Sequence, residues 1–201
     1  MYKNAAGVAD SLGDELTSVL CWLPGMQPVT DDSVQLIINK TMKPTLTVIG
    51  AEGLPALKDS GNVIRPYTTL RLSVRIPPGV NAPQAQDAII RELTRDPPYS
   101  ATVEVTGDTP NGGWLMKDMD PELKRILNDG SMKYFGREAM LNGEGGSIHF
   151  IGMFANAFPD STLLVTGLLN SDSNAHSANE NLHIPYLKKL ACCLFHLLSN
   201  Y

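Results

Sequence analysis

The sequence predicts a chain of mixed class, α+β in its first half and α/β in its second. Three observations predict it. Residues from about 44 to 107 read strand, strand, helix, strand, which is most of a ferredoxin-like layer with a helix on one face. Beyond residue 109 the order becomes helix, turn, helix, strand, loop, helix, which suits one edge of an α/β sandwich. The apolar pattern also changes, from alternation at 69–76 to a continuous run at 162–166, as in a sheet covered on both faces.

Taken in order, Ser11 to Leu20 and Ser33 to Asn39 read as short helices joined through Leu23-Pro24-Gly25. Thr45-Leu46-Thr47-Val48-Ile49 alternates and ends in Gly50, a strand signal. From Thr69 to Ile76, Leu70, Leu72, Val74 and Ile76 take one face while Thr69, Arg71, Ser73 and Arg75 take the other. Pro77-Pro78-Gly79 stops this strand. Asn81 then caps a helix with the stripe Ala85, Ala88, Ile89 and Leu93, ended by Pro97-Pro98. Thr102-Val103-Glu104-Val105-Thr106 supplies a third strand.

After the loop 109–113, Asp120 as cap and Pro121 in the first turn open a helix carrying Leu123, Ile126 and Leu127. A glycine-rich turn from Gly143 to Ser147 leads into an apolar segment ending at Pro159. Thr162-Leu163-Leu164-Val165-Thr166 reads as a buried strand. A polar loop follows, and Ile184, Leu187, Leu190, Leu194 and Leu197 or Leu198 make the stripe of a last helix.

With 201 residues, 43% of them hydrophobic, the chain can bury a core as one large domain or two small ones. Its net charge of −5 and its scattered Lys and Arg argue against a nucleic-acid partner. No apolar run reaches the roughly 20 residues that span a bilayer, and the N-terminus lacks a signal-peptide core. The expectation is a soluble, cytoplasmic protein without a membrane partner. Cys21, Cys192 and Cys193 show neither Cys-x-x-Cys nor His-spaced thiols, so a cysteine-zinc site is not expected.

The four histidines differ in their surroundings. His176 sits in a polar loop after a buried strand, where ligands of α/β sheets gather; the plain alternative is a capped loop histidine. His183 precedes the last helix and reads as structural or surface. His196 falls between stripe positions, which points to solvent or a helix-end role. His149 follows the glycine-rich turn, and its role is open. In that turn, Gly143-Glu144-Gly145-Gly146-Ser147-Ile148, glycines permit close backbone approach and free N–H groups suit an anion; the alternative is an ordinary left-handed turn. Arg75 projects from the polar face of its strand, where a guanidinium holds a carboxylate through two parallel bonds or makes a surface ion pair. His-Glu-x-x-His, Gly-x-Ser-x-Gly and phosphate-loop patterns are absent.

These segments together resemble the C-terminal half of the carnosinase, glutamate carboxypeptidase and aminoacylase family of metallopeptidases, most closely its cytosolic dipeptidase-like branch. Gly143-Glu144-Gly145-Gly146-Ser147-Ile148 is similar to the Glu-Gly-Gly-Ser/Thr-Ile-Pro motif of the catalytic domain. Ser173-Asn174-Ala175-His176-Ser177-Ala178-Asn179-Glu180 with Leu182-His183-Ile184-Pro185 resembles the Asn-Ala-His-x-x-Asn-Glu-x-Leu segment. Lys43-Pro44-Thr45-Leu46, Gly61-Asn62-Val63-Ile64 and Leu72-Ser73-Val74-Arg75-Ile76-Pro77 resemble the lid domain. The resemblance implies residues 1–108 as a portion of a ferredoxin-like lid, which mediates dimerisation, and 109–201 as the C-terminal segment of the α/β zinc-peptidase domain.

By the same resemblance His176 matches the last metal ligand, binding one of two zinc-like ions. Gly145, Gly146 and Ser147 match the cradle for the substrate's free carboxylate, with Glu144 at its edge. Arg75 and Asn62 match the lid Arg and Asn that reach the substrate, often across a dimer. The family's His-x-Asp motif, bridging Asp and Glu pair have no counterpart here, so no catalytic residue is expected in this chain. The lid's own His, in a His-Ser-Gly context, is absent too, which implies loss of the lid's first strand and helix and an exposed sheet edge. His149 stands where the motif usually has proline, and Arg65 precedes Pro66.

The expected function is that of a fragment of a zinc dipeptidase for dipeptides or related amides with a free carboxylate. One histidine cannot assemble a two-metal site, so the chain alone is expected to be inactive. The alternative is a non-catalytic dimerisation or interaction module derived from that family. A third reading, a small carboxylate-binding protein using Arg75 and the glycine turn, is disfavoured because the sequence assigns these groups to different domains.

Overall fold

In the computed structural model, helices form where a capping side chain meets an apolar stripe. The structure describes every residue except Met1, Val19, Cys21, Gly146, Ser147 and Ser171, and describes only the backbone of His149. In chain order the elements are α1 (Tyr2–Leu12), α2 (Glu15–Ser18), α3 (Ser33–Met42), β1 (Thr45–Glu52), β2 (Thr69–Arg75), α4 (Ala82–Thr94), α5 (Pro121–Phe135), α6 (His149–Ala157) and α7 (Ile184–Asn200). None of the described helices is long and apolar enough to cross a membrane. The chain divides into two compact units, Met1–Ile38 with Leu115–Gly143 and Met153–Tyr201, and Asn39–Trp114 with Glu144–Gly152.

The first unit holds both clusters of buried apolar residues. Ala5, Val8 and Ala9 recur at helical spacing on α1 and pack with Ile37 of α3, flanked by Leu16, Val34 and Ile38. The single helix expected over 11–20 does not form. Gly13 adopts a φ of 50° and donates its N–H to the Ala9 carbonyl at 2.8 Å, which ends α1 before α2 begins. Asp32 opens α3 by accepting from the amides of Val34 and Gln35 at 2.9 and 3.1 Å.

The second cluster joins α5 to α7 through Leu123, Ile126 and Leu197, with Met119, Leu127 and Leu164 around it. Asp120 Oδ1 accepts from the amides of Glu122 and Leu123, so the expected cap is present. His183 Nδ1 accepts from the Tyr186 amide at 3.2 Å and caps α7, a structural role. Phe135 meets Tyr186 with ring centroids 5.2 Å apart, and Gly130 meets Cys193 about two turns further along α7, so the two helices run antiparallel. His196 has neither of its expected roles, since its half-buried ring packs on Gly130. The apolar run 162–166 forms no strand. Leu164 packs on the α5–α7 cluster instead, because a strand needs a neighbouring backbone as well as an apolar composition.

In the second unit β1 and β2 pair antiparallel. Leu46 stands opposite Val74 and Val48 opposite Leu72, while Thr45 faces Arg75 and Thr47 faces Ser73. The alternation expected for β2 is thus realised in the register. A bulge between Val48 and Gly50 carries the pairing on to Glu52↔Thr69. Gly53 follows with a φ of 78°, against the Tyr67 carbonyl, where a side chain would not fit. Asn81 caps α4 by accepting from the Gln84 amide at 3.0 Å. Only Ala82 of this helix is buried; Ala85 and Ile89 are half-buried, and Ala88 and Leu93 are exposed.

The third strand expected at Thr102–Thr106 is not formed. The chain beyond it is tied elsewhere, by Gln86 donating to the Asp108 carbonyl at 2.9 Å and by the Arg71–Asp108 pair at 3.5 Å. The mixed α/β class holds with a two-stranded sheet, whose apolar face stays open at Leu46, Val48 and Leu70.

Candidate functional site

Arg75 ends β2 on its polar face and is exposed. Its Nη1 donates to the Gly145 carbonyl, so the strand cation meets the glycine turn inside one compact unit. The resemblance assigns Arg75 and the turn to different domains, and one compact unit holds both. The reason is connectivity: 144–152 folds with the sheet although its sequence neighbours on either side do not.

Around Gly145 the other polar groups are equally defined. The Gly145 N–H donates to Glu144 Oε1 at 2.9 Å, and Lys40 Nζ lies 3.6 Å from the same oxygen. A Cβ on Gly145 would run into the Lys40 carbonyl. Glycine is therefore required here by the close approach of another backbone, and not by a left-handed φ. The Lys40 and Glu144 side chains are 59% and 68% exposed, so the pair is screened and contributes at most about 1 kcal/mol. Gly146 and Ser147, the rest of the expected cradle, lie outside the described residues. Asn62 belongs to the same unit and is exposed in the irregular segment before β2.

His176 belongs to the other unit and is exposed at the end of a tightly bonded loop. Ser173 is fully buried at the loop's neck, accepting from the Asn170 amide at 2.9 Å and donating to Asn170 Oδ1 at 3.0 Å. Asn181 returns to close the loop, with its amide on the Ser173 carbonyl at 2.9 Å and its side chain on the Asp172 carbonyl at 2.8 Å. Within it Asn174, His176 and Asn179 hold φ values of 54°, 62° and 61°. Left-handed backbone costs about 1 kcal/mol or more at non-glycine residues, and the bonded neck offsets that cost.

Sequence reasoning missed Lys40, Asn170, Ser173 and Asn181. Asn170 and Ser173, three residues apart in a polar segment, were legible as a side-chain-bonded turn. Lys40 carried no signal, since its partner is 104 residues away by numbering, 144 less 40.

A zinc-type site needs three or four protein ligands. Among the described residues no group of three His, Cys, Asp or Glu side chains converges in a way that could hold a metal ion. His176 alone does not fit a complete metal site, and no reaction step is derived through one.

Comparison with known proteins places these features. No family model matches the chain. It is 22% identical over 159 residues to a cysteinylglycine-S-conjugate dipeptidase of Corynebacterium striatum, covering 79% of this chain and 35% of that protein. Human carnosine dipeptidase 1 matches in structure with a TM-score of 0.68 at 19% identity, over 87% of this chain and 38% of its own. The di-peptidase Dug1p of Saccharomyces cerevisiae gives 0.59 at 20% identity, over 86% and 37%. The M20 family metallo-carboxypeptidase Sso-CP2 of Sulfolobus solfataricus gives 0.63 at 16% identity, over 98% and 42%. The chain spans about a third of the curated relative's length. The resemblance to dipeptidases of this metallopeptidase family, first carried by short motifs, is borne out.

Proposed function

We propose that this chain serves a zinc-dependent, cytoplasmic dipeptidase acting on dipeptides or related amides with a free carboxylate. In this reading residues 1–108 supply a lid portion and 109–201 a catalytic-domain segment. Arg75, Asn62 and the turn Gly145-Gly146-Ser147 bind and orient the substrate, with Glu144 at the edge of that pocket, and His176 contributes one metal ligand. A bound metal would activate water and stabilise the oxyanion; this chain's own groups hold the carboxylate end of the substrate. The observation that carries the reading is the contact of Arg75 with the Gly145 carbonyl, which brings a lid-strand cation to the glycine turn.

Turnover and binding separate the parts of this proposal. The purified 201-residue chain with zinc is expected to hydrolyse no dipeptide, cysteinylglycine included, while calorimetry at millimolar dipeptide gives a heat of binding that Arg75→Met removes. Robust zinc-dependent turnover would refute the inactivity, and absence of any binding heat would refute the cradle.

A second reading, a non-catalytic dimerisation or interaction module, draws on the open apolar face at Leu46, Val48 and Leu70. Sedimentation of the chain tests it. A dimer lost on Leu46→Lys supports assembly through this face, and a monomer at all concentrations removes the reading.

A further inference from the structure

We propose that Lys40 and the Gly145 amide form a binding site for a small carboxylate, which Glu144 occupies from within the chain. This rests on the reading of the turn as a carboxylate cradle and adds to it one binding residue and an internal competitor. A single oxygen, Glu144 Oε1, receives the Gly145 N–H at 2.9 Å and stands 3.6 Å from Lys40 Nζ. An amide donor and an ammonium converging on one oxygen is how a free carboxylate is held through charge-assisted hydrogen bonds. The occupant sits on the residue immediately before Gly145, so its release requires side-chain rotation and no backbone movement. Arg75 holds the Gly145 carbonyl from the other side and keeps the turn in place when Glu144 leaves.

The charges favour exchange. Both side chains of the pair are more than half exposed, at 59% and 68%, so a solute reaches Lys40 without opening any core. Among the described residues, Glu144 is the acid at this turn and Lys40 and Arg75 are the cations. Displacing Glu144 leaves two cations beside a free N–H, in a chain whose net charge is −5.

The test is an NMR titration of the labelled 201-residue chain with N-acetylglycine, with N-acetylglycinamide as the control lacking a carboxylate. Glu144→Gln is expected to bind N-acetylglycine about fivefold more tightly than the parent, the effect of removing one weak ion pair, with shifts at the Gly145 and Lys40 amides. Adding Lys40→Met to Glu144→Gln should abolish the gain, and adding Lys40→Arg should keep it; matching thermal midpoints show that the fold survives. Equal affinity of the parent and Glu144→Gln, equal binding of the amide control, or a gain that survives Lys40→Met overturns the proposal. Tighter binding by Glu144→Gln alongside an absent Arg75 effect on dipeptide binding sinks the cradle reading of Arg75 alone. Dipeptide binding that needs Arg75 but ignores Glu144 sinks this inference alone.

Discussion

Gly130 of α5 lies directly under the His196 ring of α7, where an added Cβ would stand 3.1 Å from His196 Cδ2. A glycine inside a helix costs about 1 kcal/mol relative to alanine, and here the missing side chain lets the two helices approach. Gly130→Ala is therefore expected to change stability by less than about 1 kcal/mol, as propensity gain and crowding offset each other. Gly130→Leu should destabilise by about 2 kcal/mol or more through overpacking. In the His196→Ala background Gly130→Ala should become stabilising. Urea unfolding of the four variants checks this, and additivity between positions 130 and 196 would disprove the contact's role.

The hydroxyl of Ser173 both donates to and accepts from Asn170 while fully buried. Ser173→Ala takes the acceptor from the Asn170 amide, while Asn170 Oδ1 keeps the Asp172 amide, and should cost about 1 kcal/mol. The loop that carries His176 should open first, seen as faster amide exchange over 170–181. Unchanged exchange would show that the neck does not hold the loop.

Asp120 satisfies two orphan amides at the start of α5, those of Glu122 and Leu123. Asp120→Ala should cost about 1 kcal/mol, and Asp120→Asn much less, because asparagine caps nearly as well. Thermal denaturation of the two variants distinguishes a lost cap from a lost charge.

Burial, with a smaller contribution from neighbouring Cys192, pushes the Cys193 thiol above its ordinary range, and its Sγ donates to the Gly130 carbonyl at 3.3 Å. The raised folded value means that the thiol form stabilises the fold. That contribution is complete below the unfolded thiol pKa and is lost as pH rises through the folded one. At pH 8 iodoacetamide should modify the exposed Cys192 well before Cys193, and a protein stability that falls at alkaline pH should fall less in Cys193→Ser. Equal alkylation rates by mass spectrometry would contradict the burial.

The candidate site was legible in pieces. Arg75 was readable from strand alternation, because a period of two assigns faces without any partner. The Gly145 turn was readable from composition and motif. Their meeting was not, because the sheet unit recruits 144–152 across a gap in sequence. The place of His183 just before a helix points to its structural role, whereas the spacing of His196 along its own helix does not disclose Gly130 of another helix beneath its ring.

What the sequence determined by itself are the local terms: the caps Asn81 and Asp120 and the two faces of β2. Each depends on groups within a few residues, where backbone geometry alone settles the outcome. The tertiary structure alone decided which apolar runs pair, leaving 102–106 and 162–166 outside the sheet, and which charges meet at Gly145. Those outcomes require a partner distant in the chain, and no local propensity specifies one.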